Sequence, residues 1–386
     1  MIPTTTAALL PRPSDEALQV SAALAAEIGR EIDLSGGWLD FARYMELALY
    51  APGLGYYSAG SAKLGPAGDF VTAPELSAVL GSALAMTIDA ELESLGSSTV
   101  LELGAGSGAL AAQLLDGFAK RGRDVRYEIL ETSADFKERQ RRVLARFGDR
   151  VRWLERLPET PFVGVVIANE VLDALPVARF VKRRGEALAL GVVRDGAGFR
   201  WGEGRAVPAV ATAVRALELK LGHALPEGFR SEICLALPAW VHGLAASVER
   251  GALLLVDYGL VRTDYYHEQR ASGTLICHYR HRAHDDPFAY PGLQDITAWV
   301  DFSACADAAV AAELDVAGFT TQGQYLSSAL AALSSDLELV LTSPREQAAL
   351  KTLVLPGEMG ERFKLMLLRK GHAGPALPGR DFRHRL

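Results

Sequence analysis

Cysteine is scarce: Cys234, Cys277 and Cys305 are the three in 386 residues. They are odd in number and far apart, with no C-x-x-C pair, which excludes a disulfide framework and suits a reducing compartment. No apolar run approaches the roughly 20 residues that a membrane-spanning helix needs. Excess positive charge is missing as well. The formal net charge is −7, so the basic footprint of bulk nucleic-acid binding is absent. No Gly-Lys-Ser/Thr closes a glycine loop, which rules out phosphoryl transfer through a P-loop. No nucleophile elbow surrounds a serine, so a hydrolase has no support. The opening MIPTTTAALLPRPSDEAL has no charged stretch followed by an apolar core. The expectation is a cytoplasmic protein without a membrane span or a nucleic-acid partner.

What is present has a clear rhythm. Residues 14–50 read as helices, with Leu18, Ala22, Ala25 and Ile28 on a helical period, and a Gly/Pro-rich loop leads to an apolar helix from about Leu76 to Leu95. Beyond it, short apolar runs follow one another: STVLEL, RYEILE, VRWLE, FVGVVIAN and GALLLVDY. Most are separated by helix-like stretches such as ALAAQLLDGFAKRG and ADFKERQRRVLARFG. That alternation is the signature of an α/β fold with a parallel sheet covered on both faces. Between the fourth and fifth runs, RFVKRRGEALALGVVRDGAGFRWGEG reads as an insertion of antiparallel strands with glycine turns.

The stretch VLELGAGSGALA carries the first chemical signal. Gly104, Gly106 and Gly108 lie between a predicted strand and a predicted helix, where backbone N–H groups can face a close ligand. Such loops bind dinucleotides as well as S-adenosylmethionine, and some are turns without a ligand. Glu102 precedes them in a Glu-x-Gly-x-Gly-x-Gly pattern. Glu131 ends the next strand, where its carboxylate can accept both hydroxyls of a ribose, so it indicates an adenosine-type ligand without choosing its chemistry. In ANEVLDALPV, Asn169 and Glu170 fall at the carboxyl end of the fourth strand, where open α/β sheets place ligands. If a helical turn follows, Glu170 and Asp173 share a face. Beside a sulfonium, two carboxylates suit a cationic acceptor. Helix capping by Asn169 with surface acids is the other reading.

These residues resemble the bacterial MidA-like proteins and the mitochondrial complex I assembly factor that methylates an arginine of a complex I subunit. The match runs through FARYMELALYAPGLGYYS, GDFVTAPELS, LELGAGSGALA, ILETS, NEVLDALPV, VDYG and GTLICHYRHRAHDDPFAYPGLQDITAWVDF, ending at EMGERFK. The resemblance implies a class I methyltransferase fold, a seven-stranded and mostly parallel sheet with one antiparallel strand near its edge. It implies S-adenosyl-L-methionine as methyl donor and a protein arginine as acceptor, a complex I-type subunit being one candidate. On it, Gly104, Ala105, Gly106 and Gly108 line the cofactor path with Glu102, and Glu131 holds the ribose. Gly68, Asp69, Thr72 and Glu75 form a cap over the cofactor, and Glu170, Asp173 and Asn169 do the catalytic work. The implied division is an N-terminal helical and cap region over 1–80, a cofactor-binding domain over 81–177 and 251–372, an inserted substrate-side segment over 178–250 and a loose tail over 373–386. Oligomeric state is left open, a homodimer among the options.

Two clusters carry less. Cys277, His278, His281, His284 and Asp285 crowd CHYRHRAHDD, but their spacing matches no zinc pattern and Arg280 and Arg282 repel a cation, so no metal is expected. The runs KRR at 182–184 and RQRR at 139–142 read as solvated faces. Three classes of function stay in competition: a protein-arginine methyltransferase, a small-molecule methyltransferase and a non-catalytic binding or assembly factor. A dehydrogenase lacks a residue placed for its acid–base step.

Overall fold

The alternating runs of the middle of the chain fold into a sheet in which one strand is inserted from the far end of the sequence. The structure, a computed structural model, describes residues 10–58, 73–332 and 343–386. The chain divides into two compact units, each gathered from separate stretches. Of the described residues, one unit takes those within Val71–Leu172, Pro238–Val261 and Val300–Leu386, and the other those within Met1–Phe70, Asp173–Leu237 and Arg262–Trp299.

In the first of these, β1 (Thr99–Leu103), β2 (Arg126–Leu130), β3 (Val151–Leu154), β4 (Phe162–Asn169), β5 (Val248–Leu260), β6 (Asp315–Thr321) and β7 (Phe363–Lys370) line up in the order β6-β7-β5-β4-β1-β2-β3. The run from β5 to β3 is parallel. Strand β7 is antiparallel to both of its neighbours. Among the described residues the sheet has eight strands, one more than the expected seven. Strand β5 outruns β4 and β7, and its last residues, Gly259 and Leu260, take Val300–Asp301 as a short parallel partner.

Helices α1 (Val79–Leu95), α2 (Ala109–Lys120) and α3 (Ala134–Leu144) belong to the same unit. Leu80, Leu84 and Ile88 of α1 join Leu110, Leu114 and Phe118 of α2 in one core with Val100, Val165 and Leu254 of the strands. Every residue of β1 is buried, which explains its apolar character apart from Thr99 and Glu102. The tail at 373–386, expected to be loose, is tied down. Phe382 N–H donates to the Phe319 carbonyl at 2.7 Å, Arg383 donates to the Val316 carbonyl, and Leu377 is buried against Gly318.

The other unit joins helices Asp15–Leu34 and Phe41–Tyr50 to antiparallel sheets. The inserted segment supplies Ala178–Arg183, Glu186–Asp195 and Gly198–Arg205. The first hairpin turns on Arg184 and Gly185, both at positive φ, as a two-residue turn of matching twist requires. Lys182, expected on a solvated face, is 3% exposed and bonds to Glu218 at 2.8 Å. Strand alternation turns it inward, and only a paired charge is tolerated there. CHYRHRAHDD forms a hairpin, Ile276–Tyr279 with Arg282–His284, in a three-stranded sheet completed by Asp295–Thr297.

Candidate cofactor site

Chain order reverses between β1 and β4: from β1 the strands run outward through β2 and β3, then return to β4 on its other side. That crevice at the carboxyl ends is where open parallel sheets bind ligands. The glycine loop leaves β1 there. Gly104, Gly106 and Gly108 have φ of 60°, 51° and 82°, all in the left-handed region. Gly108 is the N-cap of α2. Its N–H donates to the Ala105 carbonyl at 2.8 Å, and Gly104 N–H donates to the Leu130 carbonyl of β2. A Cβ at Gly104 would meet only Val171 Cγ2, at 3.5 Å, so conformation rather than crowding calls for glycine.

Two buried acids stand beside the loop. Glu102, on β1, is 2% exposed and accepts a hydrogen bond from the Tyr127 hydroxyl of β2 at 2.8 Å. Burial pushes its carboxyl up to about 7, opposed by the tyrosine bond and reinforced by the charge of Glu131. Glu131, just past β2, is also raised by burial, against the pull of the bonds it accepts. Its Oε1 accepts from Ser133 N–H and its Oε2 from Gln140 Nε2, both at 2.9 Å. An ionised carboxylate offers about four lone-pair sites, so a diol can still be accepted on both oxygens.

At the end of β4, Glu170 N–H donates to the Val256 carbonyl, prolonging the ladder by one residue. The chain then turns sharply, with Glu170 at φ 54°. A non-glycine residue held there is strained and needs support. Support comes from Asp257 of β5, fully buried, whose carboxylate accepts the N–H of Leu172 at 3.0 Å and of Tyr258 at 2.8 Å. Asn169 Nδ2 donates to Glu170 Oε1 at 3.2 Å, while its buried Oδ1 has no hydrogen-bond partner among the described residues. An orphaned acceptor beside a crevice fits a polar ligand.

The segment after Glu170 is a bend and a turn, not a helix, so the shared-face argument for Glu170 and Asp173 falls away. A left-handed residue stops a helix before it starts. Asp173 is 5% exposed and belongs to the other unit, where its carbonyl accepts Ala298 N–H. Glu75 lies in the short helix Ala73–Leu76, which Gln113 of α2 holds by donating to the Pro74 carbonyl at 2.6 Å. Gly68, Asp69 and Thr72 lie outside the described residues. Tyr127, Gln140, Trp153 and Asp257 carry parts of this arrangement that the sequence reading passed over.

Asp257→Ala should strip the buried Leu172 N–H and the half-buried Tyr258 N–H of an acceptor. Such a loss costs about 1–3 kcal/mol where the donor is buried. Urea titration should show a loss of about 1–3 kcal/mol, with methyl transfer falling further than stability alone explains. A variant that kept both stability and activity would show that the Glu170 turn holds itself.

A family model described as "Putative S-adenosyl-L-methionine-dependent methyltransferase" matches residues 80–320. A crystal structure from Burkholderia thailandensis, described as a "likely methyl transferase" bound to S-adenosyl-homocysteine, is 42% identical with a TM-score of 0.89. It covers 98% of this chain and 100% of its own. Protein arginine methyltransferase NDUFAF7 homolog of Drosophila melanogaster is 27% identical over 94% of this chain and 88% of its own length. Protein arginine methyltransferase NDUFAF7 of Danio rerio is 29% identical over 86% of this chain and 83% of its own. Both are mitochondrial proteins, as is the Homo sapiens relative, and this overturns the expectation of a cytoplasmic protein. The overturned expectation rested on an absent motif, which is weak ground for a location. Among the described residues no helix is long and apolar enough to cross a membrane.

Proposed function

This chain belongs to the S-adenosyl-L-methionine-dependent methyltransferase family, and from that premise we propose that it methylates an arginine side chain of a protein. The observation that carries the reading is Glu170, whose carboxylate-bearing residue is fixed in a strained turn at the switch point of the sheet. The relatives named as protein arginine methyltransferases support the same acceptor. On this reading Gly104, Ala105, Gly106 and Gly108 follow the cofactor, Glu131 takes the ribose, and Glu102 backs the loop. Glu75 sits on the cap side.

The cofactor, when bound, supplies an electrophilic methyl on a sulfonium. The protein's own task is to align and orient. A guanidinium stays protonated, with a pKa of roughly 12.5 or above, and its lone pair is delocalised. A carboxylate that accepts two of its N–H groups draws positive charge toward itself and leaves another nitrogen turned to the methyl. Glu170 has that role, with Asn169 fixing its carboxylate. Holding the reacting atoms in line then does most of the remaining work. The resemblance alone offers Asp173 of NEVLDALPV as a further acid for the acceptor, without the shared face that a helical turn would have given it. Its replacement by alanine should weaken peptide binding more than cofactor binding.

The test is transfer of labelled methyl groups to peptides carrying arginine or lysine at one position. Arginine peptides should be labelled and lysine peptides not, since an ammonium cannot fill a bidentate site. Labelling should drop with salt as the Debye length shrinks from about 8 Å at physiological ionic strength to about 3 Å at 1 M. Methylation of a neutral metabolite, with every arginine peptide ignored, would put a small-molecule methyltransferase in place of this reading.

A further inference from the structure

We infer that Gln140 is a positioning residue for the cofactor: its amide locks the glycine loop and the ribose carboxylate into one binding-ready arrangement. This rests on the cofactor placement proposed above and extends it to a residue that touches neither the methyl nor the acceptor. Gln140 is fully buried on α3, although Arg141 and Arg142, which follow it, are exposed. Its Nε2 donates to Glu131 Oε2 at 2.9 Å and to the Gly106 carbonyl at 3.0 Å. Its Oε1 accepts the indole N–H of Trp153, on β3, at 2.9 Å.

Only a side chain ending in a primary amide satisfies all three partners. An indole can only donate, so it demands an oxygen. A carboxylate and a backbone carbonyl can only accept, so they demand the two amide hydrogens. The tryptophan therefore sets which way the amide faces, and the amide sets the other two groups. Holding the Gly106 carbonyl toward α3 turns the Ser107 N–H the opposite way, because the peptide is planar and trans. Holding Glu131 Oε2 from one side, with Ser133 N–H on Oε1, fixes the plane of the carboxylate and keeps a lone pair of each oxygen for a diol. One side chain thus couples the two halves of an adenosine-type site.

The experiment is calorimetric titration with S-adenosylhomocysteine and with its 2′-deoxy analogue, alongside thermal melting of each ligand-free variant. Gln140→Leu should weaken S-adenosylhomocysteine binding on the order of tenfold to a hundredfold, the range expected when a buried polar network loses its hub. The penalty for deleting the 2′ hydroxyl should also shrink in this variant, because Glu131 is no longer oriented. A merely structural role would lower the melting temperature and leave that discrimination intact. Gln140→Glu should bind worst, since it sets a carboxylate against Glu131 and the Gly106 carbonyl. Should Gln140→Leu fail to fold, Trp153→Phe decides: it keeps Gln140, frees the amide to rotate, and should weaken binding a few-fold. Wild-type affinity and discrimination in the folded variants would overturn the inference and leave the cofactor placement standing. If Glu131→Ala binds as tightly as wild type, the placement fails and takes this inference with it.

Discussion

Gly106→Val is expected to reduce S-adenosylhomocysteine binding by at least about a hundredfold, with a smaller loss of stability. Gly106 sits at φ 51°. The left-handed region costs an ordinary L-residue about 1–2 kcal/mol, and a β-branched one fares worse because its side chain crowds the following carbonyl. Valine would relieve that strain by rotating the peptide. Rotation would carry away the Gly106 carbonyl that Gln140 holds, along with the Ser107 N–H on the other side of the same peptide. The predicted loss thus comes from backbone geometry first and from bulk second. Calorimetry with S-adenosylhomocysteine and a melting curve together decide it. Undiminished affinity in a folded variant would show the loop to be a strand-to-helix turn and nothing more.

Glu170→Gln should leave cofactor affinity within about twofold of wild type and lower methyl transfer by a hundredfold or more. The substitution keeps length, shape and an oxygen for the Asn169 amide, so the strained turn survives. What it removes is charge. Losing one partner of a desolvated charged pair costs about 3–5 kcal/mol, which corresponds to a rate loss of about two to four powers of ten when the pair forms on the way to the transition state. Single-turnover assays with saturating peptide would isolate that step from binding. Turnover at the wild-type rate would remove Glu170 from the mechanism and return it to the status of a surface acid.

Local chemistry made much of this site readable before any coordinates. The glycines declared a strand-to-helix crossing because only they take φ of 51–82° without strain. Glu131 stood out because an acid at the end of an apolar strand has no packing reason to be there. The hairpin turn Arg184-Gly185 and the parallel runs from 98 to 170 follow from the same short-range rules. What escaped is long-range. Asp257 supports a turn 85 residues earlier in the chain, and no spacing rule links it to Leu172. Gln140 lay hidden in RQRR, where three arginines disguise one inward-facing position of a helix. The NEVLDA pattern suits a helical turn, and only the fold makes Glu170 left-handed. The short strand Val300–Asp301 is visible only as a partner for the overlong end of β5.

The place of β7 has a consequence for how the protein is born. Strands β5 and β6 leave a gap that Phe363–Lys370 fills, so the sheet on that side of β5 stays incomplete until β7 has been made. About 110 residues separate the end of β5 from the end of β7, and translation at about 5–20 residues per second needs roughly 5–20 s to cover them. Throughout that interval Leu253, Leu254 and Leu255 sit on a strand with one side of its backbone unpaired. Such an edge invites pairing with other chains. Nascent chains of this protein are therefore a target for holding chaperones, and a fragment ending where the family match ends, at residue 320, would carry that open edge permanently.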